Sequence, residues 1–371
     1  MRWTGARVRM ALGVTSLAAG LLVVGQAPTT GPEPVAVPVP PLAGTVGASG
    51  PSLVFATYNV CKTDCAPPAP SWEVRRDRVA RIIVESGLDV VGLQEVTHWP
   101  TARAKTQFLD VQNVVAPYGF VSASYTPESD ECRWTAAGDK ACTHTTGILF
   151  NTARVRQVTT PNGTPSAGTL PMSRIVDGLA PDSAPRKVTW AYLEGTNGAG
   201  PFLALSVHAS NIKDPANEAS RVAFGAALGG WTQAFNDAHG MSGVPVVLMA
   251  DLNSYRKRQP QGAQQVLMNA GWLDAATAPV RRNVEYSTIN YNPQLGLGEQ
   301  GFPRKPYTFK TSKKNPVLDA TRIDYIMTKG GSLGVADYEV VIRLNPDGTF
   351  SPDYQGSDHQ MVRATVVFPS G

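Results

Sequence analysis

The sequence is poor in long apolar runs. The apolar segment nearest the amino terminus, residues 10–24, is 15 residues long and contains Gly and Thr. A helix that spans a bilayer needs about 20 apolar residues, so an uncleaved membrane anchor is the less favoured interpretation. Three arginines precede the segment and Gly25–Ala27 follows it, which predicts a secretory signal peptide over residues 1–27. We expect a secreted, extracellular protein; Pro28 leaves the cleavage point open.

The sequence also has little net charge. It contains 33 basic and 29 acidic residues, but three of the arginines and none of the acids lie in residues 1–27. The mature chain therefore has 30 basic and 29 acidic residues. A strong overall attraction to nucleic acid is excluded, whereas a local basic patch is not.

Cysteine is scarce. Its four copies are an even number in a chain predicted to be exported, which favours disulfides. Sequence alone permits three pairings, and the short spacings favour Cys61 with Cys65 and Cys132 with Cys142. A zinc site would need close Cys-x-x-Cys pairs, and neither spacing matches.

After residue 27 the chain divides into a tether and a folded region. Residues 28–50 are rich in Pro and Gly without a period, which predicts a disordered linker. Residues 51–371 are predicted to form the folded domain, with an α/β fold of two packed mixed sheets flanked by helices. We expect helices over 71–87, 101–115 and 217–238, and strands over 53–60, 88–96, 119–125, 146–151, 186–194, 202–210, 246–251, 321–329, 337–343 and 359–368.

Polar residues recur where apolar strands run out. Taken singly, each has an ordinary explanation as a turn residue, a helix cap or one member of an ion pair. Together they predict one site at one edge of the sheets, because strand ends are where α/β enzymes gather functional groups. These residues are Asn59, Glu95, His208, Asp251, Asn253, Asp324, Asp358 and His359.

Six short motifs contain these residues in a fixed order. They are YNV at 58–60, LQEV at 93–96, SVH at 206–208, ADLN at 250–253, RIDYI at 322–326 and SDH at 357–359. Across about residues 53–368 the chain resembles the endonuclease/exonuclease/phosphatase superfamily, which includes deoxyribonuclease I-like nucleases, abasic-site endonucleases, inositol polyphosphate 5-phosphatases and bacterial sphingomyelinases. The resemblance implies a four-layer α/β sandwich and divalent-metal hydrolysis of a phosphoester.

The resemblance also implies a metal site. Glu95 matches the first ligand, with Asn59 and Asp358 near it. Oxygen donors of this kind suit Mg²⁺, or Mn²⁺ or Ca²⁺ in its place. Abasic-site endonucleases place an aspartate where this chain has Cys61, so the chain departs from that branch at a possible further ligand.

The remaining roles follow the same resemblance. Asp251 is expected to orient or deprotonate the attacking water and Asn253 to bind a phosphate oxygen; in an extended segment both would face the substrate. Asp324 is expected to fix the tautomer of His359, the electrophile or acid beside the scissile phosphate. His208 is expected to contact the phosphate as a second imidazole. Its acidic partner is left open among Glu128, Asp130 and Glu131.

Substrate choice is less clearly encoded. The segment YRKRQP contains Arg256, a candidate substrate contact together with Asn211, and residues 303–315 interleave basic with aromatic residues. Such residues can hold phosphates and stack bases, although charge runs are usually solvated. The segment 126–145 is either a specificity loop pinned by Cys132 and Cys142 or an inert insertion.

Three functions remain open. The first is a secreted metal-dependent nuclease acting on DNA or RNA as a monomer without a stable protein partner. The second is a phosphomonoesterase or a sphingomyelinase-like phospholipid phosphodiesterase. The third is a catalytically silent binding module, which the complete set of acid–base residues argues against, since a buried carboxylate cluster repels itself.

Overall fold

The computed structural model describes residues 50–65, 69–97, 101–125, 132–134, 140–142, 145–180, 182, 186–255, 261–284, 286–289, 322–346 and 351–370. For 132–134 and 140–142 the description covers the backbone alone. The predicted signal peptide and almost all of the predicted linker lie outside these residues, so both stay predictions. Within the described part of the chain, no helix combines the length and apolar character that a bilayer span requires.

Sixteen strands and four α-helices are described in chain order. The strands are β1 Ser52–Asn59, β2 Val90–Gln94, β3 Phe120–Tyr125, β4 Cys132–Trp134, β5 Lys140–Cys142, β6 Thr146–Asn151, β7 Val155–Gln157, β8 Ala167–Pro171, β9 Lys187–Gly195, β10 Pro201–His208, β11 Val246–Asp251, β12 Leu273–Asp274, β13 Val280–Arg282, β14 Asp324–Lys329, β15 Gly334–Val340 and β16 Val362–Val367. The helices are α1 Trp72–Glu85, α2 Gln107–Val115, α3 Pro215–Ala238 and α4 Ala263–Asn269.

Two mixed sheets form the centre of the fold. The first has the order β13-β15-β16-β1-β2-β6-β3, and the second has the order β12-β14-β11-β10-β9-β7, with β8 also paired to β9. Two of the parallel pairs, β1–β2 and β10–β11, are each linked by a helix, α1 and α3 respectively. A parallel connection of this kind needs a crossover, which these helices supply.

Three apolar clusters define the layers. Between the sheets, Phe55 of β1 packs near Phe202 of β10, with ring centroids 5.3 Å apart. On the outer face of the first sheet, α1 and α2 contribute residues such as Ile83 and Phe108. On the outer face of the second, α3 and α4 do the same. The order helices, sheet, sheet, helices confirms the predicted four-layer sandwich.

Helix starts differ from the predicted ones for local reasons. The helix predicted from residue 101 begins at Gln107, because the Thr106 side chain accepts the Leu109 N–H at 3.1 Å and caps the helix there. The helix predicted from Asn217 begins two residues earlier, where Asp214 caps it and Pro215 occupies its first turn.

The sheets approach each other closely beside the site. A side chain at Gly92 in β2 would place its Cβ 2.7 Å from the Cβ of Met249 in β11. Only glycine allows this contact without displacement. Just beyond it, Gln94 donates to the Ser206 hydroxyl at 3.2 Å across the gap. A buried polar layer therefore joins the two sheets directly beneath the strand ends.

Candidate active site

Strand alternation brings four of the predicted residues to one place. In β11, Val247 and Met249 face the gap between the sheets, whereas Leu248 and Ala250 face the outer helices. Asp251 continues the inner series, because side chains two apart share a face. By the same periodicity, the inner faces of their strands carry Asn59 in β1, His208 in β10 and Asp324 in β14.

Asp251 is the centre of this group. It is only 1% exposed, and its Oδ2 accepts a hydrogen bond from Asn59 Nδ2 at 3.0 Å. The Nε2 atoms of His208 and His359 lie 3.4 Å and 3.9 Å from the same oxygen. Residues from both sheets thus converge on one carboxylate oxygen.

Burial, followed by the nearby Asp324 charge, raises the pKa of Asp251 from 3.8 to about 7. The opposing effects of His359 and of the hydrogen bonds from Asn59 and the Asn253 N–H are smaller. A carboxylate with this pKa can both hold and release a proton near neutral pH. The helix-cap alternative does not apply, because the next described helix begins at Ala263 with Gly262 as its cap.

His359 is held by Asp324. The Nδ1–H of His359 donates to the carboxylate, with distances of 3.0 and 3.1 Å to its two oxygens. Burial alone would lower the pKa of His359, but the charge and hydrogen bond of Asp324, then Asp358 and Asp251, raise it well above 6.5. The arrangement favours an imidazolium whose Nε2–H faces Asp251.

The prediction that Asp324 follows an apolar strand is wrong, because Asp324 is the first residue of β14. Since β14 runs antiparallel to β11, the first residue of β14 lies directly opposite Asp251, the last residue of β11. One atom each of Asp251, Asp324 and His359 lie within 4.8 Å of one another.

Glu95 lies at the rim of this cluster. It has a left-handed φ of 56°, uncommon outside glycine, directly after the last residue of β2. Its Oε1 accepts from Asn59 Nδ2 at 3.2 Å and lies 3.8 Å from His208 Nε2, while Oε2 accepts from the Lys62 N–H at 3.3 Å. The turn at Glu95 directs its carboxylate into the same group.

The third predicted metal ligand, Asp358, stands on the loop before β16. Ser357 ties this loop to β1, since its hydroxyl donates to the backbone oxygen of Asn59 at 2.6 Å and accepts from the His359 N–H at 3.1 Å. Asp358 also lies within 4.8 Å of the sulfurs of Cys61 and Cys65. These two cysteines form a disulfide, as predicted, so their sulfurs are not thiolate ligands.

The three predicted metal ligands are chemically suited to a hard divalent cation. Glu95 and Asp358 are partly exposed, whereas Asp251 and Asp324 are buried. The Asn59 Oδ1 accepts one bond, from the Cys61 N–H at 3.0 Å, which leaves it a second lone pair. Two accessible carboxylates and an amide oxygen are the donor type that Mg²⁺ takes.

The geometry expected for Asn253 is wrong. β11 ends at Asp251, and Asn253 has a left-handed φ of 45°, so the segment is not extended there. Its N–H instead donates a hydrogen bond to Asp251 Oδ1 at 2.9 Å, and its Nδ2 donates to the Ala209 backbone oxygen at 3.0 Å. Asn253 still contacts the site, but through a turn rather than through a shared strand face.

Other predicted residues lie at or beyond the limits of the description. Asn211 is exposed, and its Oδ1 accepts from Arg186 Nη2 at 3.4 Å. Cys132 and Cys142 are directly opposite in the β4–β5 ladder, and their disulfide stays a prediction. Outside the described residues lie Arg256, the basic segment 303–315, and Glu128, Asp130 and Glu131.

Sequence reasoning missed Arg75. This guanidinium is fully buried and donates to five backbone oxygens, those of Val60, Cys61, Lys62, Pro70 and Gly356. It thereby joins the loop after Asn59 to the loop before Asp358. A signal was present, because Arg75 falls between Trp72 and Val79 on the apolar face of α1, where a charge requires partners.

Comparison with known proteins identifies the family. A sequence model of the Endonuclease/Exonuclease/phosphatase family matches residues 56–359, most of the chain. The chain belongs to the endonuclease/exonuclease/phosphatase family. It is accordingly a phosphoesterase of that superfamily, whose enzymes generally use divalent metals. No curated protein matches the sequence.

Solved structures of family members share the fold at low identity. An endonuclease/exonuclease/phosphatase family protein from Bacteroides thetaiotaomicron is 17% identical with a TM-score of 0.60, covering 87% of this chain and 97% of its own. A mannosyl-6-phosphatase from the same organism is 18% identical with a TM-score of 0.58, covering 85% and 100%. The human nocturnin catalytic domain, solved with bound sulfate, is 15% identical with a TM-score of 0.51, covering 87% and 97%. At these identities the likeness establishes the fold alone.

Proposed function

We propose that this chain is an exported, divalent-metal-dependent hydrolase of phosphodiester bonds whose substrate is nucleic acid. The observation that carries the catalytic part is the convergence of Asn59, His208 and His359 on one oxygen of Asp251. A structural ion pair needs one partner of opposite charge. A buried carboxylate facing two imidazoles and an amide is instead suited to moving a proton.

Glu95, Asp358 and the Asn59 amide oxygen would hold the metal. When bound, a divalent cation polarises a phosphoryl oxygen and neutralises charge as the ester bond breaks. Because Asn59 Nδ2 bonds both Glu95 and Asp251, the metal position and the proton-accepting oxygen are linked through a single amide.

Asp251 accepts the proton of the attacking water. Its raised pKa of about 7 keeps the carboxylate basic enough for this transfer at neutral pH. The Asn59 and Asn253 hydrogen bonds fix its two oxygens separately, so one orientation of the carboxylate is available when substrate arrives.

The two imidazoles serve the phosphate. Asp324 keeps His359 cationic, and the His359 Nε2 atom lies 3.9 Å from Asp251 Oδ2, too far for a hydrogen bond, so its N–H is available to a phosphoryl oxygen and stabilises the negative charge that develops there. His208, at the end of β10, lies between Asp251 and Glu95 and contacts the phosphate as the second imidazole.

The nucleic-acid part of the proposal rests on the sequence. The basic triplet at 256–258 directly follows the catalytic segment, and residues 303–315 mix basic with aromatic side chains. Export, predicted from residues 1–27, would bring the enzyme to extracellular nucleic acid.

The test is parallel hydrolysis of plasmid DNA, RNA, sphingomyelin vesicles and an inositol polyphosphate by the purified protein, with Mg²⁺ and then with EDTA. Cleavage of DNA or RNA that EDTA abolishes is expected. Cleavage of sphingomyelin alone would support the sphingomyelinase-like alternative instead of the nuclease. Cleavage of the inositol polyphosphate alone would support the phosphatase alternative. Intact substrates with Mg²⁺, Mn²⁺ and Ca²⁺ would favour the binding module.

A further inference from the structure

A pocket of about 280 Å³ lies beside the candidate active site. One wall is the segment after β8, including Met172 and Leu179, and the other is the start of α3, including Phe224. Ala209 and Ser210 also line it. These two residues directly follow His208, and the Ala209 oxygen accepts the Asn253 amide at 3.0 Å. The pocket therefore opens at the end of β10 that carries His208, but on the outer face of the second sheet, the side to which Ala209 points.

The charges in the pocket wall are paired within the protein. Arg186 Nε donates to Asp182 at 2.7 Å, and both side chains are more than 90% buried. Arg221 Nη2 lies 2.7 Å from Glu218 Oε1, and its Nη1 donates to the Ile212 oxygen at 3.0 Å. Two cations matched by two anions leave no excess positive charge, so the wall does not favour a second phosphate.

Among the described residues of the wall, Arg186 nevertheless offers an unused hydrogen-bond donor. Arg186 Nη1 is buried without a partner, although Nε is bonded to Asp182 and Nη2 to Asn211. A buried donor that lacks an acceptor costs free energy, which a ligand acceptor would recover. The guanidinium is already oriented by its other two contacts, so little freedom is lost when that acceptor arrives.

From its size, its apolar walls, its paired charges and the Arg186 donor, we infer that the pocket binds a nucleobase of a substrate strand that passes from the active site around the end of β10. Pockets for drug-sized ligands measure about 300–1,000 Å³, so 280 Å³ suits one ring system. An acyl chain would fit the apolar walls but offers no acceptor to Arg186. This inference deepens the proposed nuclease function and rests on it for the identity of the substrate.

The test is calorimetric binding to the full protein in EDTA, where hydrolysis does not interfere. The probes are adenosine and cytidine 5′-monophosphates, ribose 5-phosphate, which lacks only the base, and dodecyl phosphate. We expect at least one nucleotide to bind tenfold or more tightly than ribose 5-phosphate. Ser173→Phe, at an exposed position in the pocket lining, should abolish that difference by filling the space.

Arg186→Lys keeps the charge beside Asp182 but removes the planar donor, and should weaken nucleotide binding about three- to tenfold with no change for ribose 5-phosphate. Ser173→Ala and Ser242→Phe are the matched controls. Ser242 is exposed in the turn before β11, at the opposite end of that strand from Asp251, so its added ring should change nothing.

Equal affinity for nucleotides and ribose 5-phosphate, or a preference for dodecyl phosphate, would overturn the inference. So would nucleotide binding that Ser173→Phe leaves unchanged. The two proposals fail separately. Nucleic-acid cleavage that is unaffected by Ser173→Phe would refute the nucleobase pocket and leave the proposed nuclease function standing. Nucleotide binding that depends on the pocket, without cleavage of DNA or RNA, would refute the nuclease function and leave the nucleobase pocket standing.

Discussion

The functional side chains fall into two groups that the fold holds in different ways. The strand group is fixed by sheet hydrogen bonds and register: Asn59, His208, Asp251 and Asp324. The loop group stands just outside the strands: Glu95, Asn253, Asp358 and His359. Two of its members have left-handed φ, and its loops are tied by Arg75 and Ser357. We expect the strand group to lose its function only when one of its own residues is substituted. The loop group can also be displaced by substitution of Arg75 or Ser357.

The largest effect is expected at the centre of the strand group. Asp251→Asn keeps the shape but removes the proton acceptor, and should lower kcat by about 10²- to 10⁴-fold. Folding should persist, because burial and Asp324 already raise the pKa of this carboxyl and thus favour its neutral form. The measurements are turnover with Mg²⁺ and urea unfolding of the same preparation.

Asp237→Asn, at an exposed position of α3, is the control for loss of one carboxylate and should keep wild-type turnover. Near-wild-type turnover of Asp251→Asn itself would show that the convergence on Oδ2 has another purpose.

The next effect links the two groups. Asp324→Asn leaves a strand residue of similar shape but weakens its hold on His359 in the loop, so we expect about a 10²-fold loss, at the lower end of general acid–base effects. In the wild type, the raised pKa of His359 keeps it cationic, and activity that needs the cation is lost only as pH rises through that pKa. The variant should therefore lose activity at a lower pH. A pH–rate profile whose alkaline limb did not move would show that Asp324 does not set the charge of His359.

A smaller effect on chemistry, but a large one on stability, is expected from the loop support. Arg75→Met leaves five backbone oxygens without their donor and should lower the free energy of unfolding by about 3–5 kcal/mol. Arg75→Lys keeps the charge and only some of the bonds, so it is the milder variant. In that variant the Mg²⁺ concentration for half-maximal activity should rise several-fold while kcat at saturating Mg²⁺ changes little.

Arg156→Met, at an exposed position of β7 on the edge of the second sheet, is the control for loss of one surface arginine and should alter neither quantity appreciably. If Arg75→Lys required no more Mg²⁺ than the wild type, the loop group would be held independently of this guanidinium.

The two groups also differ in how far they could be predicted. The segment VVLMAD shows why the strand group was accessible: its apolar positions fix a strand, and period two then assigns Asp251 to the inner face. Asp324 was assigned to the site by its motif, but its place at the start of β14 depends on antiparallel pairing with β11. Strand pairing is a long-range property that local sequence does not encode.

The loop group was less accessible because its geometry has tertiary causes. Glu95 has a left-handed φ without being glycine, and its local sequence contains no turn signal that requires it. Asn253 also has a left-handed φ, but here a local signal was overlooked: Asn adopts this region readily, and Asp251 Oδ1 accepts the N–H two residues on, as in an Asx turn. The extended geometry expected for Asn253 failed for this reason. The role of Arg75 depends on Gly356, 281 residues away. Its position on an apolar helix face shows that it needs partners but not which ones.

The smallest effect is expected from the covalent bond in the loop that follows Asn59, the Cys61–Cys65 disulfide. In the chain-entropy model, a disulfide that closes so short a loop raises the free energy of unfolding by about 2 kcal/mol. The double variant Cys61→Ser/Cys65→Ser should therefore have a free energy of unfolding lower by about that amount. Activity should fall less than in Arg75→Lys, because Arg75 would still hold the backbone oxygens of both Val60 and Gly356. Thiol titration of the denatured, unreduced protein resolves both predicted pairs: no thiol if both form, two if Cys132 and Cys142 are unpaired, and four if neither forms. If the Ser variant lost more activity than Arg75→Lys, the covalent bond rather than the guanidinium would be what positions Asp358.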